Sequence, residues 1–348
     1  MFDAGLSVGR DCQSGHSLDT HGHLAPVAEI SPRDQAVSDF HIDTPEDWQG
    51  TNGARLPFAT KISVRLAGRI DAPIVAVLGG ISANRIVADN EAEAGWWSNL
   101  VGVGRPLDLG DYCIASMDFV AGDGVSPIDT TPADQANLFK FALGEINIQK
   151  IHAFIGASFG GMTALSFARQ FPEDIDKLIV VCAAHRPSPM AQAWRSVQRQ
   201  ILSFAIEAGK PEEGIAIARS LAMTTYRSSQ EYDERFNCAA EADGGVADYL
   251  RARGEDYVPQ TTAARYLSLS GAIDCHFETP EEITTPTLLI AADSDQIAPL
   301  ADVEELAARL SGPVQFQKIS SLYGHDAFLK DTDTFAPQIK AFVSKENS

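Results

Sequence analysis

Residues 151–171 read IHAFIGASFGGMTALSFARQF, and this stretch decides the fold. An apolar segment of strand length runs into the pentapeptide GASFG at residues 156–160, and apolar residues at helical spacing follow immediately. A serine between two glycines, placed between a strand and a helix, forms a nucleophile elbow. The turn is so tight that the flanking positions must lack side chains. We therefore predict that Ser158 is a nucleophile and that the Phe159 N–H group binds an oxyanion.

Short apolar runs alternate with helical patterns along most of the chain, as expected when helices cover both faces of a parallel sheet. The runs are KISVRLAG from Lys61, PIVAVLGG from Pro73, YCIASMDFV from Tyr112, KLIVVCAA from Lys177, PTLLIAA from Pro286 and VQFQKIS from Val314. Helical spacing is clear at residues 134–143 and 162–171. The pattern predicts an α/β fold with a mostly parallel sheet flanked by helices.

The chain divides into three predicted parts. Residues 1–56 contain nine acidic and three basic residues with little apolar periodicity, and we predict an acidic, partly flexible leader. The core comprises residues 57–186 and 280–348, and amphipathic patterns at residues 187–279 predict a helical lid inserted between them. The leader also holds a histidine cluster, SGHSLDTHGH, for which a mobile polar tail is preferred over a metal site because nothing would fix a coordination geometry.

Composition excludes several classes of protein. The chain has 348 residues, of which 45% are hydrophobic and 21% are charged, so we expect a folded protein rather than a disordered one. Its formal charge of −20 disfavours nucleic acid and anionic membrane surfaces as partners. The five cysteines form no C-x-x-C pair and no signal peptide is visible, so we expect reduced thiols in a cytoplasmic protein.

A serine nucleophile requires a base and an acid that orients the base, and after this elbow they follow in the order Asp, His. Asp293 and Asp295 stand on the loop after the strand PTLLIAA, and His325 stands on the loop after the next strand. The carboxyl ends of these parallel strands meet at one edge of the sheet. We therefore predict a triad of Ser158, His325 and Asp295, with Asp293 as the alternative acid.

The remaining catalytic groups are expected from the backbone. A second oxyanion donor should come from the loop after the strand PIVAVLGG, which holds Leu78, Gly79 and Gly80. The sequence contains no H-E-x-x-H motif, no lysine after a phosphate-binding glycine loop and no G-x-G-x-x-G motif. We therefore expect neither a metal ion nor a bound cofactor.

Five segments in order carry a wider resemblance. They are GWW from Gly95, GASFGGMTAL from Gly156, SVQRQIL from Ser196, ARSLAMTTYRS from Ala218 and GHDAFL from Gly324. The pattern resembles the homoserine O-acyltransferases of methionine biosynthesis, a branch of the α/β-hydrolase superfamily. The resemblance implies acyl-CoA as co-substrate and L-homoserine as acceptor, with Ser158 as nucleophile, His325 as base and Asp295 as its partner.

The resemblance also implies an acceptor site in this chain. Arg219 would hold the homoserine carboxylate, Asp326 would hold its ammonium group and Tyr226 would line the same site. An amino-acid acceptor carries both charges, and each charge requires a fixed counter-charge near the acyl-serine. The resemblance further implies a homodimer built through the helical lid.

Two departures from the family pattern concern the acyl donor. This chain has Leu-Gly-Gly at residues 78–80 where members commonly have Leu-Thr-Gly, and it has only residues 118–123 where members have a longer glycine-rich segment. The short form is more similar to the succinyl-using members, so we expect succinyl-CoA, with acetyl-CoA as the alternative. Arg85 is a candidate partner for a succinyl carboxylate, and a solvent-exposed arginine is the alternative interpretation.

Residues 184–227 carry six basic and three acidic residues, against the acidic trend of the chain. This locally basic stretch indicates where an anionic substrate enters. Three alternative functions stay open: a serine O-acyltransferase of the same family, an α/β-hydrolase esterase with the same triad, and a non-catalytic partner protein.

Overall fold

A single eight-stranded sheet organises the chain in the computed structural model, which describes residues 36–57, 60–121, 124–236 and 245–344. Its strands are β1 (Ala36–Asp43), β2 (Lys61–Gly68), β3 (Ile74–Leu78), β6 (Cys113–Met117), β7 (Ala153–Ala157), β8 (Leu178–Val181), β9 (Thr287–Ala292) and β10 (Val314–Ile319). Two short strands, β4 (Val101–Gly102) and β5 (Leu107–Asp108), form a separate pair.

The strand order in the large sheet is β1-β2-β6-β3-β7-β8-β9-β10. The pairs β1–β2 and β2–β6 are antiparallel, and every other pair in this sheet is parallel. The predicted α/β class with a mostly parallel sheet is therefore confirmed. Strands β6, β7, β8 and β9 are buried along their whole length, which explains why they are continuous apolar runs in the sequence.

Helices cover both faces of the sheet. They are α1 (Pro132–Glu145), α2 (Phe159–Gln170), α8 (Leu300–Arg309), α9 (Ala327–Lys330) and α10 (Thr332–Ser344). One hydrophobic cluster contains Phe139 of α1 and Phe167 of α2, and a second cluster contains Phe335 and Ile339 of α10. Each face of the sheet thus packs against its own hydrophobic core.

Among the described residues, five α-helices follow β8 and precede β9, in the segment where a helical lid was predicted. They are α3 (Pro189–Glu207), α4 (Pro211–Tyr226), α5 (Ser229–Phe236), α6 (Val246–Glu255) and α7 (Ala263–Asp274). They have a small core of their own that includes Leu202, Ile215, Tyr257 and Tyr266. Within the described ranges, none of the helices combines the length and the apolar content required to cross a bilayer.

The sheet begins inside the segment that was predicted to be a leader. All eight residues of β1 pair with β2, from Ala36 opposite Gly68 to Asp43 opposite Lys61. The side chains of β1 are exposed or half-buried, so its apolar pattern is weak and its antiparallel backbone hydrogen bonds hold it in place. Residues 1–35, which include the histidines of SGHSLDTHGH, lie outside the described residues.

Candidate active site

Ser158 lies at the turn between β7 and α2 in a conformation that side chains rarely adopt, with φ of 54°. The neighbouring glycines make this turn possible. A Cβ atom at Gly156 would lie 2.2 Å from the Gly160 carbonyl oxygen, and one at Gly160 would lie 2.2 Å from the Leu78 carbonyl oxygen. Both positions therefore exclude any side chain, and the structure contains the elbow that the sequence predicts.

The serine hydroxyl is the first member of a hydrogen-bonded chain of three side chains. Ser158 Oγ lies 2.8 Å from His325 Nε2, and His325 Nδ1 lies 2.7 Å from Asp295 Oδ2. Both His325 and Asp295 are buried. This is the arrangement in which histidine removes the serine proton while the carboxylate orients the imidazole ring.

The structure separates the two candidate acids. Asp295 contacts His325 through Oδ2, and its Oδ1 accepts hydrogen bonds from the backbone N–H groups of Ile297 and Ala298 at 2.8 and 3.0 Å. Asp293 instead accepts a hydrogen bond from the backbone N–H of Ser321 at 3.2 Å. Asp295 is therefore the carboxylate that completes the triad geometry.

The environment of His325 suits a base that becomes charged during the reaction. Burial alone would lower the pKa of His325 because it disfavours the imidazolium form. The carboxylates of Asp295 and Asp326 outweigh burial and raise the pKa of His325 above its ordinary value of 6.5. The same carboxylates therefore stabilise the imidazolium that forms when the serine gives up its proton.

Two residues whose backbone could bind an oxyanion, Phe159 and Gly80, line the cavity next to Ser158. Phe159 is the first residue of α2, so its N–H group has no partner within the helix. On the loop after β3, Gly80 lies beside the nucleophile, and its Cβ position is 3.9 Å from Ser158 Oγ. The Gly79 carbonyl accepts a hydrogen bond from Gly160 N–H, and neither Leu78 nor Gly79 lines the cavity. Gly80 therefore lines the cavity beside the reacting serine, and an oxyanion donor at Leu78 or Gly79 stays a prediction.

A cavity of about 240 Å³ opens beside Ser158 and His325. Polar residues on its wall include Arg186, Arg195, Gln198, Arg219, Tyr226 and Asp326. The three predicted acceptor residues, Arg219, Tyr226 and Asp326, therefore share one cavity with the triad. The Tyr226 ring centroid is 5.9 Å from that of His325, which places the acceptor residues next to the base.

Comparison with known proteins shows the family of this chain. A family profile described as alpha/beta hydrolase fold matches residues 94–332. The homoserine O-succinyltransferase of Xanthomonas campestris pv. campestris is 35% identical over 325 residues, covering 91% of this chain and 86% of the relative. The chain belongs to the homoserine O-acyltransferase family of α/β hydrolases.

The family contains relatives named for another acyl group. The homoserine O-acetyltransferase of Geotalea uraniireducens is 29% identical, covering 74% of this chain and 82% of the relative. The crystal structure of esterase E22 superimposes with a TM-score of 0.79 at 17% identity, covering 89% of this chain and 100% of the esterase chain. The fold is thus shared between transferases and an esterase. The fold alone therefore does not identify the acyl acceptor, which depends on the residues of the cavity.

Arg219 lies in the cavity and has no carboxylate partner among the described residues. Its guanidinium carbon lies 4.5 Å from the Tyr257 ring centroid and 5.4 Å from the Tyr226 ring centroid. Stacking against two rings positions the guanidinium but leaves its charge unneutralised. The side chain is therefore prepared for an anionic ligand.

Asp326 follows the base directly and is held by a neighbouring arginine. Its Oδ2 lies 3.0 Å from Arg227 Nε, and Arg227 also pairs with Glu231 at 2.6 Å. Glu231 in turn accepts a hydrogen bond from Lys330 at 3.1 Å. Burial raises the pKa of Asp326, whereas Arg227 acts in the opposite direction. Burial outweighs the neighbouring cations and leaves the pKa of Asp326 above its ordinary value, and the carboxyl group lines the cavity.

Arg85 does not reach this cavity, so its suggested role with a succinyl carboxylate is wrong. The guanidinium pairs with Asp39 of β1 at 2.8 Å and with Asp118 at 2.6 Å. Two carboxylates already neutralise its charge, and it faces a different depression lined by β1 and β2 residues. The expectation failed because the sequence did not reveal that β1 would bring Asp39 beside it.

The sequence analysis missed Arg186, Arg195 and Gln198 as individual lining residues of the cavity. The locally basic stretch at residues 184–227 was the available signal, and it contains both arginines together with Arg219. In the described part of the chain, no group of three or more His, Cys, Asp or Glu side chains is arranged to hold a metal ion.

Proposed function

We propose that this protein transfers an acyl group from acyl-CoA to the hydroxyl of L-homoserine, with succinyl-CoA as the donor and acetyl-CoA as the alternative. One observation carries this proposal. The triad of Ser158, His325 and Asp295 opens into the same cavity as the unpaired Arg219 and the carboxylate of Asp326. A cation and an anion fixed beside the nucleophile match the two charges of an amino acid that carries a hydroxyl group.

In the first half-reaction, His325 removes the proton of Ser158 and the serine oxygen attacks the thioester carbonyl carbon. The N–H of Phe159 and the backbone at Gly80 stabilise the negative charge that develops on the carbonyl oxygen. The carbon–sulfur bond then breaks, and His325 returns its proton to the departing CoA thiolate. Ser158 is left as an acyl ester.

In the second half-reaction, Arg219 holds the carboxylate of homoserine and Asp326 holds its ammonium group. His325 removes the proton of the homoserine hydroxyl, whose oxygen attacks the acyl-serine carbonyl. Collapse of the intermediate breaks the bond to Ser158 Oγ, which recovers a proton from His325. Helices α3, α4 and α7 line the cavity and limit the access of water, which would otherwise compete for the acyl-enzyme.

The deciding experiment measures CoA release with succinyl-CoA and acetyl-CoA, each in the presence of L-homoserine, L-serine or no acceptor. We expect turnover with homoserine and a single burst of CoA without an acceptor. Ser158→Ala should abolish both signals and leave the thermal unfolding curve unchanged. Turnover of Ser158→Ala at the wild-type rate would contradict the proposed nucleophile.

The esterase alternative has a specific observation in its favour, because esterase E22 shares the fold at a TM-score of 0.79. An esterase releases its acyl group to water, so its CoA or alcohol release would not depend on homoserine. A serine O-acyltransferase would respond to serine more strongly than to homoserine. A non-catalytic partner protein would give no acyl-Ser158 in intact-mass spectra after incubation with the CoA ester.

Location and assembly form part of the same proposal. We propose a cytoplasmic enzyme, supported by three free cysteines among the described residues: Cys113, Cys182 and Cys275. We propose a homodimer, which sedimentation of the purified chain would test directly.

A further inference from the structure

Helix α3 places two polar side chains on the cavity wall that have no role in the proposed binding of homoserine. Arg195 and Gln198 are one helical turn apart, both line the cavity beside Ser158, and both are more than nine-tenths buried. Buried polar groups normally have at least one hydrogen-bond partner, from the protein or from ordered water. The partners of these two side chains therefore show whether any positive charge or hydrogen-bond donor remains available for a ligand.

Arg195 belongs to an ion cluster with an excess of positive charge. Its Nη2 lies 2.6 Å from Asp274 Oδ1, and Arg199 Nη2 lies 2.7 Å from Asp274 Oδ2. One carboxylate of α7 is thus shared by two arginines of α3. Among the described residues, Asp274 is the only carboxylate paired with Arg195. The cluster therefore carries one uncompensated positive charge at the cavity wall.

Gln198 adds a hydrogen-bond donor at the same place. Its side-chain oxygen accepts a hydrogen bond from the Tyr266 hydroxyl at 3.0 Å. This bond fixes the orientation of the amide, so its NH₂ group points away from Tyr266. Within the described ranges, that NH₂ group has no hydrogen-bond acceptor. A carboxylate accepts readily from a guanidinium and an amide together.

Arg186 is a third arginine on the wall, beside Arg195 and Arg219, and its charge is already balanced. It pairs with Glu305 at 2.7 Å and lies 3.5 Å from Asp302, both on α8. Arg186 thus faces two carboxylates, whereas Arg195 shares one. The contrast makes Arg186 a matched control for Arg195.

We propose that Arg195 and Gln198 bind the terminal carboxylate of a dicarboxylic acyl group, and so select succinyl over uncharged donors. This inference rests on the proposed acyltransferase function. When a succinyl-enzyme meets homoserine, two carboxylates occupy the cavity at once. Arg219 balances the carboxylate of the acceptor, and the excess charge of the Arg195 cluster balances the carboxylate of the acyl group.

The test compares three donors in the acylation half-reaction, measured as the burst of CoA without acceptor. Butyryl-CoA matches the chain length of succinyl-CoA but lacks the charge, and acetyl-CoA is short and uncharged. Arg195→Met removes the proposed partner and leaves Asp274 paired with Arg199, so no buried carboxylate is left alone. We expect its kcat/KM for succinyl-CoA to fall by about 100-fold, as for loss of one partner of a buried charge pair. Its values for butyryl-CoA and acetyl-CoA should change by less than about threefold.

Two further variants make the result interpretable. Arg186→Met should keep the wild-type preference for succinyl-CoA over butyryl-CoA. Gln198→Met leaves the ion cluster intact and should lower the succinyl-CoA value by about tenfold, the effect of one hydrogen bond to a charged group. Gln198→Met also provides the test if Arg195→Met does not fold, as judged by its thermal unfolding curve.

The outcomes separate this inference from the proposed function. If the wild-type protein is acylated by none of the three donors, the proposed function fails and the inference fails with it. If the wild type is acylated but Arg195→Met keeps the wild-type ratio of succinyl-CoA to butyryl-CoA, only the inference is overturned. The inference is also overturned if Arg195→Met raises the KM for homoserine with every donor, because Arg195 would then belong to the acceptor site.

Discussion

At the scale of single residues, the reactivity of Ser158 depends on how its base is held. Asp295 uses one oxygen for His325 and the other for the N–H groups of Ile297 and Ala298, so the carboxylate is fixed in place. His325 therefore presents Nε2 toward the serine in one orientation. Because the pKa of His325 is raised, its neutral, reactive form predominates only above a higher pH than for an ordinary histidine.

Replacing Asp295 with asparagine should separate these two effects. We expect the acylation rate at neutral pH to fall by about 10⁴-fold, because the imidazole loses its orientation and its counter-charge. In the wild type, the acylation rate should fall as the pH decreases through a pKa above 6.5. In Asp295→Asn, burial still acts on His325 but the carboxylate is gone, so the acidic limb should move to lower pH. The measurement is the pH profile of the CoA burst.

Asp293→Asn is the matched control for that experiment, because Asp293 lies on the same loop and accepts a hydrogen bond from the Ser321 N–H group instead of contacting His325. Its pH profile should coincide with the wild-type profile. A shift of the acidic limb in Asp293→Asn, or no shift in Asp295→Asn, would contradict the assignment of the acid.

At the scale of elements, the inserted helices and the core loop after β3 meet at the acceptor site. Arg219 of α4 stacks on Tyr257, which follows α6, and the Tyr257 hydroxyl accepts a hydrogen bond from Ser82 Oγ at 3.2 Å. Ser82 lies two residues beyond Gly80, the glycine beside Ser158, and lines the same cavity. Tyr257 therefore links the proposed carboxylate-binding arginine to the loop of the proposed oxyanion donors.

Replacing Tyr257 with leucine should weaken homoserine binding without affecting acylation. Loss of one stacked ring removes a cation–π contact of about 0.5–2 kcal/mol, so we expect the KM for homoserine to rise about twofold to thirtyfold. Tyr257→Phe and Ser82→Ala retain the ring and remove only the hydrogen bond, and their KM values should stay closer to that of the wild type. Steady-state kinetics with varied homoserine, together with the CoA burst, measure both quantities. An equal KM for Tyr257→Leu and the wild type would show that stacking does not position Arg219.

At the scale of the whole molecule, the inserted helices are tied to the core next to the elbow. Glu278, between α7 and β9, is buried and accepts hydrogen bonds from Ser166 Oγ and Arg169 Nε of α2. Its backbone N–H also donates to the His185 carbonyl at 2.9 Å. The helix that begins at the nucleophile is thus connected to the end of the insertion by one buried carboxylate.

Glu278→Gln should lower the free energy of unfolding by about 2 kcal/mol, because two hydrogen bonds to a buried charge are weakened. Glu282→Gln is the control, since Glu282 is largely exposed and its carboxylate lies 3.6 Å from Arg169 Nη1. Its effect should stay below about 0.5 kcal/mol. Urea denaturation followed by circular dichroism measures both variants. Equal midpoints for the two variants would show that the buried carboxylate does not tie the insertion to the core.

The parts of this protein that were predictable are those in which burial or steric exclusion limits the choice of residue. Strands β6–β9 are enclosed on both faces, so their sequences are continuous apolar runs. The elbow excludes Cβ atoms at Gly156 and Gly160, so the motif itself predicts the position of Ser158. Strand β1 was missed because exposed edge residues leave its pattern weak.

The amino-acid sequence by itself determined the α/β sheet, the nucleophile elbow and the family, because each depends on local patterns of apolar and small residues. Only the tertiary structure decided between Asp293 and Asp295, which are equivalent as letters but face different partners. It also decided which arginines retain free charge: Arg85 meets two carboxylates from distant segments, whereas Arg195 shares one. Charge balance depends on neighbours that are far apart in the chain, and folding alone brings them together.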